Sequence, residues 1–250
     1  MAWQLYEGDC LEIMPTLPDK SIDMILCDLP YGTTACKWDV IIPFEPLWMQ
    51  YKRLIKNSGA IVLTACDPFT SLLIVSNLKM FKYRWIWQKP QGVDPFMAEV
   101  RPLNDIEDIC VFAKDRTIYN PQRSKGKAYT ITRDKKSRKH GTTGATMKQT
   151  TTVNYGERYP GRILPFNQER GLHETQKPTT LFEYLIRTYT NPGDTVLDNC
   201  AGSGTTGEAA ENLGRNSIMI EQDPKYCEII RKRMANRQTT LFEMGVETDA

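Results

Sequence analysis

Four consecutive residues, Asp28-Leu29-Pro30-Tyr31, set a carboxylate, a rigid backbone carbonyl and an aromatic ring side by side after the apolar run Ile22–Cys27. Such a set suits one difficult task, making a nucleophile of an amine conjugated to a heteroaromatic ring. The lone pair of that amine is delocalised into the ring. Two acceptors for its hydrogens, the Asp28 carboxylate and the carbonyl of Leu29 or Pro30, favour a more tetrahedral nitrogen with a localised lone pair. Tyr31 can stack on the ring, an interaction worth about 1–3 kcal/mol per base. In-line attack on a methyl group then follows by positioning and electrostatics. A base inside a duplex would first have to leave the stack. Standing alone, the segment is better read as a Pro-Tyr-Gly turn.

A second constellation lies far along the chain. Asp194-Thr195-Val196-Leu197-Asp198-Asn199-Cys200-Ala201-Gly202-Ser203-Gly204-Thr205-Thr206-Gly207 is a strand, a glycine-rich turn and a helix start. Glu221 follows Gly202 by 19 residues, at the end of the next strand, where an acid can accept from both ribose hydroxyls. Gly202, Gly204 and Gly207 also satisfy the spacing of a dinucleotide loop, so a nicotinamide cofactor has to be weighed. Asp198 separates the two readings. A pyrophosphate would be repelled by it, whereas S-adenosylmethionine carries an ammonium and a sulfonium that a carboxylate stabilises. The bland alternative for this motif is a plain strand-turn-helix.

Charge is unevenly spread. The net value is +2, yet nine Lys/Arg against the single acid Asp134 lie between Arg123 and Lys148. A concentrated basic segment on a slightly acidic body suits a polyanion-binding lobe, and equally a solvated loop. The seven cysteines are scattered, without a C-x-x-C pair. That spacing argues for reduced thiols in a cytoplasm and against a zinc site. No apolar stretch of membrane-spanning length occurs, and the first residues lack the layout of a signal peptide. The five tryptophans are expected in the core, with Trp38 close enough to the Asp28 turn to line a pocket.

The elements that must hold these groups alternate between strand and helix. Trp3–Tyr6 and Ser21–Cys27 are predicted strands around a helix at Leu11–Leu17. A helix over Phe44–Ile55 leads to a buried strand at Ala60–Thr64. Asp67 is the predicted N-cap of a helix reaching Leu78, with Pro68 in its first turn. Tyr83–Trp87 and Ile106–Phe112 have strand composition. Order then dissolves between about 115 and 160. It returns as a helix at Thr179–Thr190, a strand at Thr195–Leu197, a helix at Thr205–Leu213 and a strand at Ser217–Ile220. Asp223-Pro224 caps a last helix whose apolar face is Tyr226, Ile229, Ile230 and Met234. The chain after Gln238 is polar and expected to fray. The alternation implies an α/β fold with a mostly parallel sheet.

Taken together, the motifs resemble the DNA N6-adenine/N4-cytosine methyltransferase family over nearly the whole chain. Their order, catalytic motif first and cofactor loop last, is similar to the family's β-type circular arrangement. Asp28-Leu29-Pro30-Tyr31 resembles Asp-Pro-Pro-Tyr, and Asp198 to Thr206 resembles Asp-Pro-Phe-x-Gly-Ser-Gly-Thr-Thr. His173-Glu174-Thr175-Gln176-Lys177-Pro178 is similar to His-Pro-Thr-Gln-Lys-Pro, which precedes a helix beside the cofactor's methionine part. Gly8-Asp9 resembles the segment that contacts the cofactor's adenine. Trp85–Pro90 and Ile106–Lys114 are similar to the antiparallel strand pair beyond the parallel sheet. Leu29 stands where the family has proline, which loosens the turn but keeps the carbonyl. Asn199-Cys200 replaces Pro-Phe and removes an aromatic contact with the cofactor, and Glu174 replaces another proline.

The resemblance implies a Rossmann-like S-adenosylmethionine-dependent methyltransferase fold, circularly permuted. Residues 1–114 and 161–240 would form a discontinuous catalytic domain, 115–160 a basic target-recognition insert and 241–250 a tail. It implies S-adenosylmethionine as cofactor, duplex DNA as partner, no metal and no membrane. Asp28, Leu29, Pro30 and Tyr31 would be catalytic. Asp9, Lys177, Asp198, Cys200, Gly202, Gly204, Thr205, Thr206 and Glu221 would hold the cofactor. Arg123, Lys125, Lys127, Arg133, Lys135, Lys136, Arg138 and Lys139 would contact DNA. Some relatives pair through their catalytic domains, which leaves a homodimer open. Asp at the first motif position favours adenine N6, with cytosine N4 as the nearest rival. Cytosine-C5 chemistry needs a cysteine nucleophile, and no Pro-Cys dipeptide occurs. A nucleic-acid-binding protein that has lost catalysis and an RNA methyltransferase are the remaining alternatives.

Overall fold

The computed structural model describes residues 3–34, 36, 39–93, 95–133, 150–169 and 176–245. It divides into two units, Met1–Asn120 with Arg162–Ala250, and Pro121–Gly161. In the larger unit the first half runs β1 (Trp3–Glu7), α1 (Cys10–Ile13), β2 (Ile22–Asp28), α2 (Phe44–Leu54), β3 (Ile55–Ala65), α3 (Phe69–Ser76), β4 (Phe81–Val93) and β5 (Asn104–Phe112). The smaller unit contributes β6 (Ser124–Lys125), β7 (Tyr129–Arg133), β8 (Thr150–Asn154) and β9 (Glu157–Arg158). The larger unit then resumes with β10 (Ile163–Pro165), α4 (Thr179–Tyr189), β11 (Thr195–Asp198), α5 (Thr205–Asn212), β12 (Asn216–Glu221) and α6 (Pro224–Gly245).

One eight-stranded sheet organises the larger unit, in the order β1-β12-β11-β2-β3-β5-β4-β10. Its neighbours run parallel except at β5, which is antiparallel to both β3 and β4. The fold is therefore α/β with a mostly parallel sheet, as the alternation of elements implies. The short β10, hidden from pattern reading by its length, adds beside β4.

β2 lies at the centre and is apolar on both faces because helices cover both. Ile25 and Cys27 pack with Leu47, Trp48 and Tyr51 of α2. The alternate residues Met24 and Leu26 pack with Leu181, Phe182 and Leu185 of α4. This two-residue alternation, with burial on each side, fits a central parallel strand. Such a strand leaves its C-terminal end as the open place for chemistry.

Three boundaries differ from expectation. β3 starts at Ile55, directly after α2, because Ile55 pairs with Ile22 of β2. Asp67 does not cap α3; the helix begins at Phe69 after Pro68, and the Asp67 carboxylate accepts from the Ser71 hydroxyl instead. α6 continues past Gln238 to Gly245. Asp223 does cap α6, accepting from the Lys225 N–H at 2.8 Å. On that helix Ile230 and Met234 are buried with Cys227, while Tyr226 and Ile229 flank them half-buried.

The smaller unit consists of two antiparallel strand pairs, β6 with β9 and β7 with β8. Among the described residues, no helix is long and apolar enough to cross a membrane.

Candidate active site

Adjacent strands end in acids on the same side of the sheet. β2 ends at Asp28, β11 at Asp198 and β12 at Glu221, and β11 lies between the other two, parallel to both. Beyond these ends lies a cavity of about 850 Å³, whose walls include Asp28 to Tyr31, Asp9 and the loop Asp198 to Ser203. Lys177, Thr205, Glu221 and Glu107 also reach it. The two constellations, 170 residues apart from Asp28 to Asp198, thus share one space.

On the glycine-loop side, Gly202 and Gly204 take φ values of +51° and +81°, the left-handed region open to glycine. The Gly202 N–H donates to Glu221 Oε2 at 2.8 Å, and the Asp223 N–H to Oε1 at 2.9 Å. Burial raises the Glu221 carboxyl above its ordinary range, against the pull of those N–H groups. Asp198 is buried, and its partners are neutral: the Thr206 hydroxyl at 2.5 Å and the Cys200 N–H at 3.1 Å. Desolvation, only partly offset by these donors, pushes its pKa up to about 6. Thr206 is itself buried and stands behind the loop, holding Asp198 rather than lining the cavity. Asp9 caps α1 through the Leu11 N–H at 2.7 Å, and the neighbouring Gly8 N–H donates to the Glu221 carbonyl. Cys200 is half-buried on the wall, in contact with Cys10 and Cys27. All seven cysteines are unpaired.

On the other side Asp28 is held from several directions. Its Oδ2 receives the Lys177 ammonium at 2.8 Å, and its Oδ1 receives the Thr64 hydroxyl. The Tyr31 hydroxyl sits 2.8 Å from Asp28 Oδ1, 2.8 Å from Glu107 Oε1 and 3.0 Å from Thr64 Oγ1. Glu107 in turn pairs with Lys177 at 2.9 Å and Lys89 at 3.2 Å. Burial would raise the Glu107 carboxyl, but the two lysines override it and hold it below the usual range. Burial would lower the Lys177 ammonium, and Asp28 and Glu107 raise it above its ordinary value. Tyr31 is pushed well up by burial and by the same two carboxylates, so it remains a neutral phenol. One face of its ring stacks on Phe69, with centroids 5.2 Å apart. Beyond the turn, buried Asp39 accepts from the N–H groups of Gly32, Thr33 and Thr34 at 2.7–2.9 Å, fixing the chain that leaves the site.

Lys177, anticipated beside the cofactor, directs its ammonium to Asp28 and Glu107. The Leu29 side chain is buried in the core. Trp48, Trp85 and Trp87 are buried, and Trp87 also lines the cavity. Trp38 and the stretch His173 to Thr175 lie outside the described residues. Thr64, Glu107, Lys89 and Asp39 were not anticipated. β5 carries three acids, Asp105, Glu107 and Asp108, so its sequence did not single out Glu107.

In the smaller unit Arg123 is engaged, ion-paired with Glu157 and stacked 4.8 Å from the Tyr159 ring centroid. Lys125 and Lys127 are exposed, and Arg133 ends β7. Lys135, Lys136, Arg138 and Lys139 lie outside the described residues. Among the described residues no cluster of His, Cys, Asp or Glu is arranged to hold a metal ion.

The sequence model of the N6/N4 family described as DNA methylase matches residues 22–232. Type II methyltransferase M.HinfI of Haemophilus influenzae is 29% identical over 259 residues, spanning 92% of this chain and 67% of that protein. The solved M1.HpyAVI–SAM complex superposes with a TM-score of 0.63 at 22% identity, covering 92% of this chain and 98% of the other. The PvuII DNA methyltransferase, named as cytosine-N4-specific, has a TM-score of 0.64 at 16% identity over 90% and 84% of the two chains.

Proposed function

The chain belongs to the N6/N4 DNA methylase family, and from that premise we propose that it transfers a methyl group from S-adenosylmethionine to N6 of an adenine flipped out of duplex DNA. The observation that carries this reading is the shared cavity, into which both the Asp28 carboxylate and the glycine loop open.

The residues on the loop side fit a cationic adenosine ligand. Asp198 is a buried carboxylate whose partners are neutral, an arrangement that a nearby sulfonium or ammonium relieves. Glu221 keeps acceptor capacity beyond its two N–H bonds, enough for ribose hydroxyls. When bound, S-adenosylmethionine supplies an activated methyl group. Asp28 and the carbonyl of Leu29 or Pro30 hold the amine hydrogens, and the Asp28 charge faces the positive charge that develops on nitrogen. The Tyr31 ring lines the cavity beside Asp28 as the aromatic against which a base would rest, while Lys177, 5.6 Å from its centroid, fixes the carboxylate in place. Asp28 at the first motif position supports adenine over cytosine.

The test uses duplex DNA of mixed sequence and methyl-labelled S-adenosylmethionine, followed by digestion to nucleosides. Label is expected in N6-methyladenine. Label in N4-methylcytosine would overturn the adenine assignment, and absence of label from DNA would overturn the whole reading. Asp28→Ala is expected to lower turnover by about 10²–10³ or more, the loss typical of a key electrostatic group, with cofactor binding retained.

A further inference from the structure

We infer that Glu107 is a positioning residue for the methyl-acceptor site, the acceptor to which the Tyr31 hydroxyl turns when a substrate amine takes its place on Asp28 Oδ1. This rests on the reading of Asp28 as the amine-holding carboxylate.

The argument is a count of hydrogens. Tyr31 has one hydroxyl hydrogen and two carboxylate oxygens at the same 2.8 Å, Asp28 Oδ1 and Glu107 Oε1. Asp28 Oδ1 already takes the Thr64 hydroxyl, and Oδ2 takes Lys177. A Tyr31 hydrogen pointed at Oδ1 therefore fills its second lone pair and competes with the incoming amine. Pointed at Glu107, it leaves that lone pair open. The two settings differ only by rotation about the phenol C–O bond, since both oxygens are in hydrogen-bond range. Glu107 is suited to this office because it stays charged. It is 6% exposed, with Lys177 on one oxygen and Lys89 on the other. It has no access of its own to Asp28 except through Tyr31 and Lys177. With a neutral amide at 107 the phenol hydrogen favours the charged Asp28 oxygen over the uncharged one, and a buried donor does not stay unpaired.

The hydroxyl of Tyr31 is the route, so a double-mutant cycle reads the claim directly. Methyl transfer is measured for wild type, Glu107→Gln, Tyr31→Phe and the double variant, with thermal melting and S-adenosylmethionine binding as checks on folding. Glu107→Gln is expected to lower kcat at least tenfold in the presence of Tyr31, with cofactor affinity within twofold of wild type. In the Tyr31→Phe background the same change is expected to cost several-fold less than in wild type, because no hydroxyl remains to be redirected and only the path through Lys177 is left. Equal losses in both backgrounds, or no loss in either, overturn the proposal. Should Glu107→Gln fail to fold, the pair Glu107→Gln with Lys89→Met removes one charge of each sign and enters the same cycle against Lys89→Met. Transfer that survives Asp28→Ala would instead overturn the reading of the site on which this inference stands.

Discussion

Among the described residues no cation pairs with the buried Asp198, and that has consequences of opposite sign for stability and for binding. Burial lifts its folded pKa to about 6 from the ordinary 3.8. The folded state therefore binds a proton between these values that the unfolded state does not, so stability falls as pH rises through that window. A cationic ligand reverses the preference, since it attracts only the ionised form. Affinity for S-adenosylmethionine is expected to be flat above pH 7 and to weaken about tenfold by pH 5, as one group with a pKa near 6 is protonated. Titration calorimetry across that range checks it. Asp198→Asn should abolish the dependence while leaving any slope due to Glu221, whose carboxyl is also raised by burial. A pH-independent affinity in the parent protein would mean that the cation does not meet Asp198.

At the scale of elements, the site is a consequence of parallel strands ending together and of turns that only certain residues can make. Gly204 begins α5 at φ +81°, and a Cβ placed there would lie 3.0 Å from Ile230 of α6. Gly204→Ala is expected to destabilise the protein by about 1–2 kcal/mol, the cost of a left-handed non-glycine residue, and to weaken cofactor binding by deforming the loop. Denaturant unfolding measures the first effect and calorimetry the second; an unchanged midpoint would remove the glycine argument. Such features were legible in the sequence because they are local. The apolar run of β2, the periodicity of α4 and the loop before α5 each declare themselves within a dozen residues. The partners of Asp28 were not legible, because register decides them. Thr64 pairs with Ile109 on β5, and Trp87 of β4 pairs with Glu107. Only these pairings bring Thr64 and Glu107 to the Tyr31 hydroxyl, and no spacing rule connects residues 31, 64 and 107. Likewise, the path of the chain into α4, which no local pattern shows, is what delivers the Lys177 ammonium to Asp28.

For the molecule as a whole, charge is the property that the catalytic unit cannot explain. The segment from Arg123 to Lys148 holds nine Lys/Arg and one acid, although the net charge of the chain is only +2. Part of that charge is spent inside the smaller unit. Arg123 pairs with Glu157, and Arg158, which lies beyond that segment, binds the Asn154 side chain and stacks on Tyr129. Lys125 and Lys127 are exposed, and the densest run is Lys135, Lys136, Arg138 and Lys139. If that run meets phosphates, each contact releases condensed counterions, and the logarithm of affinity falls against the logarithm of salt by about 0.9 per contact on duplex DNA. Replacing the four by glutamine is therefore expected to weaken binding to all duplexes alike and to flatten that slope by about 3–4 units if all four make contacts. Fluorescence anisotropy with a short duplex at several salt concentrations reads both quantities. A uniform loss with a flatter slope assigns the run to the DNA backbone and leaves sequence choice to other residues. A slope that does not change makes it a solvated loop, and the polyanion reading of the insert then fails.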